Sequence, residues 1–263
     1  MPWVQRGLRH GILTTSWPKR IDSYFTGFLG RIEVLPGATH LETTCRAAEA
    51  CPTGAISASS DGVFLDQGRC ILCGRCVAMA PAVFARQPGS DTAVLDRQTL
   101  VVGTTEETDE ALDELRHALR RRVRRLRRSV HIRHVDAGSD GSDEWEVHAL
   151  TNPVYDVHRL GIFFTASPRH ADILLVTGIG TDGMVQPLRR TLEAMPRPTV
   201  VIAAGTDAIS GGLIGGGYTG GTGIGDITDV DVWVPGAPAT PFSLMHAILL
   251  ALGRLPDIDG ERS

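Results

Sequence analysis

Two regimes of hydrophobic and polar positions divide the chain. In the first hundred residues the apolar runs are short and broken. Residues 55–58 and 63–65 read as two short strands joined by Ser59-Ser60-Asp61-Gly62, a turn signal, and Ala93-Val94-Leu95 reads as another strand. Residues 1–40 carry little periodicity and are punctuated by Pro18, Gly27, Gly30, Pro36 and Gly37, so they read as an extended arm with short strands. A helix then opens at Thr108-Asp109-Glu110-Ala111, with Leu112, Leu115, Leu119, Val123 and Leu126 at helical spacing. From Val130 strands alternate with helices. Strands are predicted over 130–135, 173–177, 199–204 and 230–234, and helices over 185–195 and 242–252. Such alternation implies a mostly parallel sheet covered on both faces. Chemistry in such sheets sits in loops beyond the carboxyl ends of the strands, here 136–143, 178–183, 205–212 and 235–241.

The cysteines change the picture most. Cys70-Ile-Leu-Cys73-Gly-Arg-Cys76-Val-Ala-Met-Ala80-Pro81 is the bacterial ferredoxin run C-x2-C-x2-C-x3-C-P with alanine at its last ligand. Cys51-Pro52-Thr53-Gly54-Ala55-Ile56 is the tail of a second such run. In a two-cluster ferredoxin the fourth cysteine of each run ligates the other run's cluster, so Cys51 completes a [4Fe-4S] site with Cys70, Cys73 and Cys76. The opposite site would need cysteines near Leu41, Thr44, Ala47 and Ala80, and none stands there. The competing readings are a zinc site, which usually pairs two C-x2-C arms at longer separation, and a remnant without metal. Cys45 fits neither spacing and reads as a free thiol. Few, clustered cysteines argue against a disulfide framework and for a reducing compartment.

Charge adds exclusions. The formal net charge of -4 gives no global signal for nucleic acid. No eighteen-residue apolar stretch occurs, and Met1-Pro2-Trp3-Val4-Gln5-Arg6 lacks a signal peptide's apolar core, so a cytosolic location is expected. Lys19 is the one lysine. Arg116, Arg120, Arg121, Arg122, Arg124, Arg125, Arg127 and Arg128 crowd the polar face of the helix after residue 108. They suit a solvated linker, or a contact with an acidic partner or anionic headgroups.

The second half resembles a known family. Val135-Asp136-Ala137-Gly138-Ser139, residues 146–153, the run from Ala166-Ser167-Pro168-Arg169-His170 to Gly178, Val200-Val201-Ile202-Ala203-Ala204-Gly205 and Val234-Pro235-Gly236-Ala237-Pro238 carry the likeness. They resemble the 20 kDa subunit of complex I and the matching small subunit of membrane-bound [NiFe] hydrogenases of the formate hydrogenlyase type. The first half resembles the ferredoxin-like subunit of the same complexes. The expected fold is thus an α+β ferredoxin-like domain followed by an α/β flavodoxin-like domain. Expected boundaries are an arm over 1–40, the cluster domain over 41–105, a basic linker helix over 106–129 and the α/β domain over 130–255.

The resemblance implies an iron–sulfur electron-transfer and scaffold subunit, peripheral on the inner face of the cell membrane. Its partners would be a large hydrogenase-like or complex-I-like subunit and membrane-arm subunits. In that family four loop cysteines hold a second [4Fe-4S] cluster; the matching positions here are Asp140, Asp143, Asp207 and Ala237. Carboxylates and a methyl do not hold a cubane, so one cluster is expected in all. The three aspartates could take a hard cation, share a proton in a relay, fill the old cavity with water, or pair with arginines of a partner. The glycine-dense stretch 211–221 lacks a P-loop signature and reads as a loop near the lost cluster, and 178–183 is a weak signal. His131, His134, His148 and His158 read as packing or surface residues. A non-redox structural subunit remains the other class of function.

Overall fold

The computed structural model describes residues 2–36, 41–59, 62–102, 109–123 and 129–255. The region read as an extended arm contains α1 (Pro2–His10), α2 (Ser23–Thr26) and β1 (Leu29–Val34). Breakers mark ends of elements there: Gly27 closes α2, whose N-cap Asp22 accepts the Phe25 N–H at 3.1 Å.

After β1 come α3 (Leu41–Glu49), β2 (Ile56–Ser59), β3 (Gly62–Asp66), α4 (Arg75–Met79) and β4 (Phe84–Pro88). β1 pairs antiparallel with β4 and β2 with β3, and β5 (Val101–Val102) adds to β3. This is the β-α-β-β-α-β order of ferredoxin-like folds. Ile32, Ile56, Leu65, Val83 and Phe84 form its core. Because β1 supplies one of its strands, the unit begins at Leu29, within the residues assigned to the arm. Ser60 and Asp61 of the expected turn lie outside the described residues. Ala93-Val94-Leu95 forms no strand of this unit; Val94 makes an isolated antiparallel bridge to Trp233 instead, with N···O distances of 2.9 and 2.8 Å.

α5 (Asp109–Val123) packs on the last helix through buried Leu119 and Val123, while Leu115 is exposed. Arg116, Arg120, Arg121 and Arg122 face solvent, and Arg122 pairs with Asp231. Thr108, Leu126 and Arg124, Arg125, Arg127 and Arg128 lie outside the described residues, as does the side chain of Leu112.

The remainder is α/β: β6 (Val130–Asp136), α6 (Ser142–Ala149), β7 (Ile162–Phe164), β8 (Ile173–Thr177), α7 (Asp182–Ala194), β9 (Val200–Ala204), α8 (Thr206–Ser210), β10 (Val232–Val234) and α9 (Pro241–Leu252). The five strands are all parallel in the order β10-β9-β8-β6-β7. Read from β7 this is the flavodoxin-like order 2-1-3-4-5, with its switch point between β6 and β8. β8 and β9 are buried at every position, as strands covered on both faces should be. α9 is apolar on nearly all sides because the sheet lies on one face and the arm on another. Phe242 of α9 meets Trp17, Phe25, Phe28 and Tyr155 with ring centroids 5.1–6.0 Å apart. The arm thus shares the core of the α/β part.

Candidate metal centre

The cysteine run bends around a cavity. Leu72 (φ +56°) and Gly74 (φ +74°) take left-handed backbone on either side of Cys73, and α4 starts at once, with buried Cys76 in its first turn. A left-handed non-glycine residue costs about 1–2 kcal/mol, so Leu72 is held there by its surroundings. Cys51 approaches from the turn after α3. Cys51, Cys70, Cys73 and Cys76 together line a partly open cavity, whose other walls are largely apolar: Ile32, Ala47, Ala55, Ile56 and Leu65.

The four sulfurs feel one another. Burial pushes the Cys70 thiol up to about 12, with Cys76, Cys51 and Cys73 adding to it against a backbone hydrogen bond from Leu72. Burial likewise raises Cys76. At Cys51 burial is outweighed by the N–H groups of Thr53, Ala55 and Ile56 and the Thr53 hydroxyl, so its thiol lies below the ordinary value. The Ala55 N–H donates to its Sγ at 3.3 Å. A cubane binds one thiolate at each iron, so its ligands surround a volume instead of meeting at a point. Four thiols from two segments around an apolar cavity fit that group. At the positions where a second cubane would need cysteines, Thr44, Ala47 and Ala80 are buried, Ala47 and Ala80 in the same core as Val83 and Phe84. Cys45 sits half-buried on α3 and is not among the residues lining the cavity.

The loops beyond β6 and β9 bring Asp140, Asp143 and Asp207 within reach of one another's charge. Asp143 is 3% exposed in the first turn of α6. Its Oδ1 accepts the Ala239 N–H at 2.9 Å, and its Oδ2 lies where a Cβ on Gly205 (φ +91°) would stand only 2.0 Å away. Burial pushes its carboxyl up to about 8; the Ala239 N–H opposes this, and Asp207, Glu144 and Asp140 add to it. Asp207 rises to about 6 through burial and then the charges of Asp140 and Glu144. Exposed Asp140 falls below the usual range because the hydroxyl and N–H of Ser142 donate to its Oδ1 at 2.6 and 2.9 Å. Ala237 offers only an exposed methyl. Among the described residues no group of three or more His, Cys, Asp or Glu side chains is drawn together as around one ion.

Two features escaped the sequence reading. Glu144 accepts the hydroxyls of Ser139, at 2.6 Å, and Thr177, and Thr177 in turn lies 2.9 Å from Nε2 of His134. Through Thr177 His134 joins this polar network, and burial holds it below its usual value. In addition, the Thr206 hydroxyl donates to the Cys70 carbonyl at 3.2 Å. The cysteine cavity therefore sits directly against the loop that carries Asp207. Neither feature has a signal in residue spacing.

Comparison with known proteins places both halves. Residues 141–251 match the family model described as NADH ubiquinone oxidoreductase, 20 Kd subunit, and residues 65–119 match the 4Fe-4S single cluster domain of Ferredoxin I. The probable membrane-bound hydrogenase subunit mbhJ of Pyrococcus furiosus is 35% identical over 144 residues, which cover 52% of this chain and 86% of the relative. The chain belongs to the 20 kDa subunit family. Within it, formate hydrogenlyase subunit 7 of Escherichia coli is 36% identical over 147 residues, 56% of either chain, so the match spans little more than half of that relative. The membrane-bound sulfane sulfur reductase, an archaeal respiratory complex, contains a chain with 28% identity and a TM-score of 0.44 over 53% of this chain and 76% of its own. The ferredoxin match takes in Cys70, Cys73 and Cys76, while Cys51 precedes it. This 20 kDa-family chain is thus a fusion in which a ferredoxin-like segment precedes the family's own α/β fold. Among its described residues no helix is long and apolar enough to cross a membrane.

Proposed function

We propose that the chain is an iron–sulfur electron-transfer and scaffold subunit of a complex-I-like or [NiFe]-hydrogenase-like assembly on the cytoplasmic face of a membrane. It would hold a single [4Fe-4S] cluster on Cys51, Cys70, Cys73 and Cys76, with the family's own cluster site lost. The observation that carries this is the shared cavity of four thiols drawn from two segments, set against the loops of a 20 kDa-family fold. When bound, the cluster supplies a one-electron store. The protein's part is to wall it with apolar side chains, to donate the Ala55 N–H to Cys51, and to hold the Cys70 carbonyl on the Thr206 hydroxyl. Residues 1–40, 41–105, 106–129 and 130–255 would divide as arm, cluster domain, linker and large-subunit platform, with β1 joining the cluster domain. The relatives are by name subunits of a formate hydrogenlyase and of a membrane-bound hydrogenase, which supports partners in such an assembly; a large hydrogenase-like or complex-I-like subunit and membrane-arm subunits are the ones expected.

Anaerobic isolation followed by iron and sulfide analysis and electron paramagnetic resonance tests this reading. About four irons per chain and one reducible S = 1/2 centre, both lost in Cys51→Ala, are expected. No iron, or twice as much, overturns it. A cluster that resists reversible reduction makes the subunit structural instead.

A second reading concerns Asp143 and Asp207. Their raised carboxyls suit proton exchange near neutral pH. A hard cation is less well served, because Asp140 spends its Oδ1 on Ser142 and Asp143 its Oδ1 on Ala239. Asp143→Asn and Asp207→Asn should abolish proton-coupled turnover of the assembled complex while leaving assembly intact.

A further inference from the structure

The first helix has a face that nothing among the described residues covers. Every residue from Trp3 to Leu13 is exposed, including Trp3 at 73%, Leu8 at 81% and Ile12 at 91%. Water is a poor surrounding for an indole and two branched aliphatic chains placed this close together. At 100° per residue Trp3, Val4, Gly7 and Leu8 fall on one side of α1, while Gln5, Arg6, Arg9 and His10 fall on the other. Ile12 and Leu13 carry the apolar surface on beyond the helix, and Ile21 and Tyr24 are exposed nearby in sequence.

Charge follows the same division. Residues 1–21 hold Arg6, Arg9, Lys19 and Arg20 and no acidic residue, in a chain whose net charge is negative. A buried protein groove would have to supply both an apolar floor and acidic walls. An anionic bilayer surface offers both at once, hydrocarbon below and phosphate above. An indole next to aliphatic side chains, opposed by arginines, is the composition of helices that lie in the plane of an interface.

We propose that α1 and the following Gly11–Leu13 segment form a lipid-binding element. Trp3, Val4, Leu8, Ile12 and Leu13 would enter the acyl boundary of an anionic membrane, and Arg6 and Arg9 would meet its phosphates. This deepens the peripheral location proposed above and names the surface that makes the contact, yet its test needs no other subunit.

Co-sedimentation of the full chain with phosphatidylglycerol–phosphatidylcholine vesicles, and with phosphatidylcholine alone, is the experiment. Binding to the anionic vesicles is expected, with a fall of about tenfold in Trp3→Ser/Leu8→Ser. Arg6→Gln/Arg9→Gln should lose most of the difference between the two lipids, and added salt should do the same to the native chain. None of these four side chains is buried, so circular dichroism and the melting temperature should stay unchanged. Binding that ignores both double substitutions overturns the proposal. So does a chain that stays in the supernatant, or one whose Trp3 becomes protected from quenching only when partner subunits are added, which would assign the face to a protein. Co-purification of the Trp3→Ser/Leu8→Ser chain with a large subunit separates the two ideas: assembly without vesicle binding leaves the complex reading standing and places the fault, if any, in α1.

Discussion

The hydroxyl of Thr206 donates to the carbonyl of Cys70 at 3.2 Å, across 136 residues of chain. Thr206 opens α8, Cys70 is the first cysteine of the ferredoxin run, and the next residue after Thr206 is Asp207. One hydrogen bond thus ties the thiol cavity to the segment that carries Asp207. Thr206 is fully buried, so Thr206→Val would leave the Cys70 carbonyl without this donor in a dry place. A loss of about 1 kcal/mol is expected, read as a lower urea midpoint, together with a changed line shape of the cluster signal at unchanged iron content.

Cys45 provides the control for the metal site. It lies off the cavity on α3, so Cys45→Ser should retain full iron, whereas Cys73→Ser should lose or degrade the cluster. Iron analysis of both variants side by side checks the assignment.

The stability of the chain should fall on the alkaline side through Asp143. Its native carboxyl sits at about 8, well above the unfolded value near 4, so the native state holds the proton more tightly. That contribution is complete below about pH 4 and is lost as pH rises through about 8. Asp143→Asn keeps an acceptor for the Ala239 N–H and removes the titration. Urea midpoints between about pH 5 and 9 should therefore flatten in the variant, by on the order of 1–3 kcal/mol over that range.

On the acid side His246 acts in the opposite sense. Burial, only partly offset by Asp91, holds it at about 4, and its Nδ1 finds no hydrogen-bond partner among the described residues. The unfolded chain takes the proton first, so stability present above about pH 6.5 is lost as pH falls through about 4. His246→Leu should blunt this acid limb, with little cost at neutral pH because no hydrogen bond of that nitrogen is given up.

Phe242 holds the arm to the α/β part. It contacts four aromatic rings, and Phe242→Ala should cost about 3–5 kcal/mol. Limited proteolysis should then open the segment around Trp17 and Phe25 before the rest of the chain.

Legibility followed locality. β8 and β9 were readable because strands buried on two faces are continuous apolar runs, and α9 because twelve residues suffice to show a helix. β7 has three residues and α8 has five bounded by Gly205 and Gly211, too short for any period to emerge. Short strands were expected in residues 1–40, but β1 could not be placed because its partner is β4, and nothing near Leu29 announces it. Cys51, Cys70, Cys73 and Cys76 line one cavity, in keeping with the spacing that suggested them, and Asp140, Asp143 and Asp207 follow parallel strands whose ends share one edge of the sheet. What those groups bond to could not be read. The Asp143–Ala239 pair spans 96 residues and exists only after the sheet has closed.

The bridge between Val94 and Trp233 bears on how this protein can be dissected. β10 is the outermost strand on its side of the sheet, and that bridge is what occupies part of its free margin. A fragment cut off before β6 would leave the margin with bare amide and carbonyl groups, the template on which strands of separate molecules stack. Expressed on its own, the second half should clump; the polypeptide ahead of it therefore serves as a built-in guard against self-association as well as a carrier of thiols.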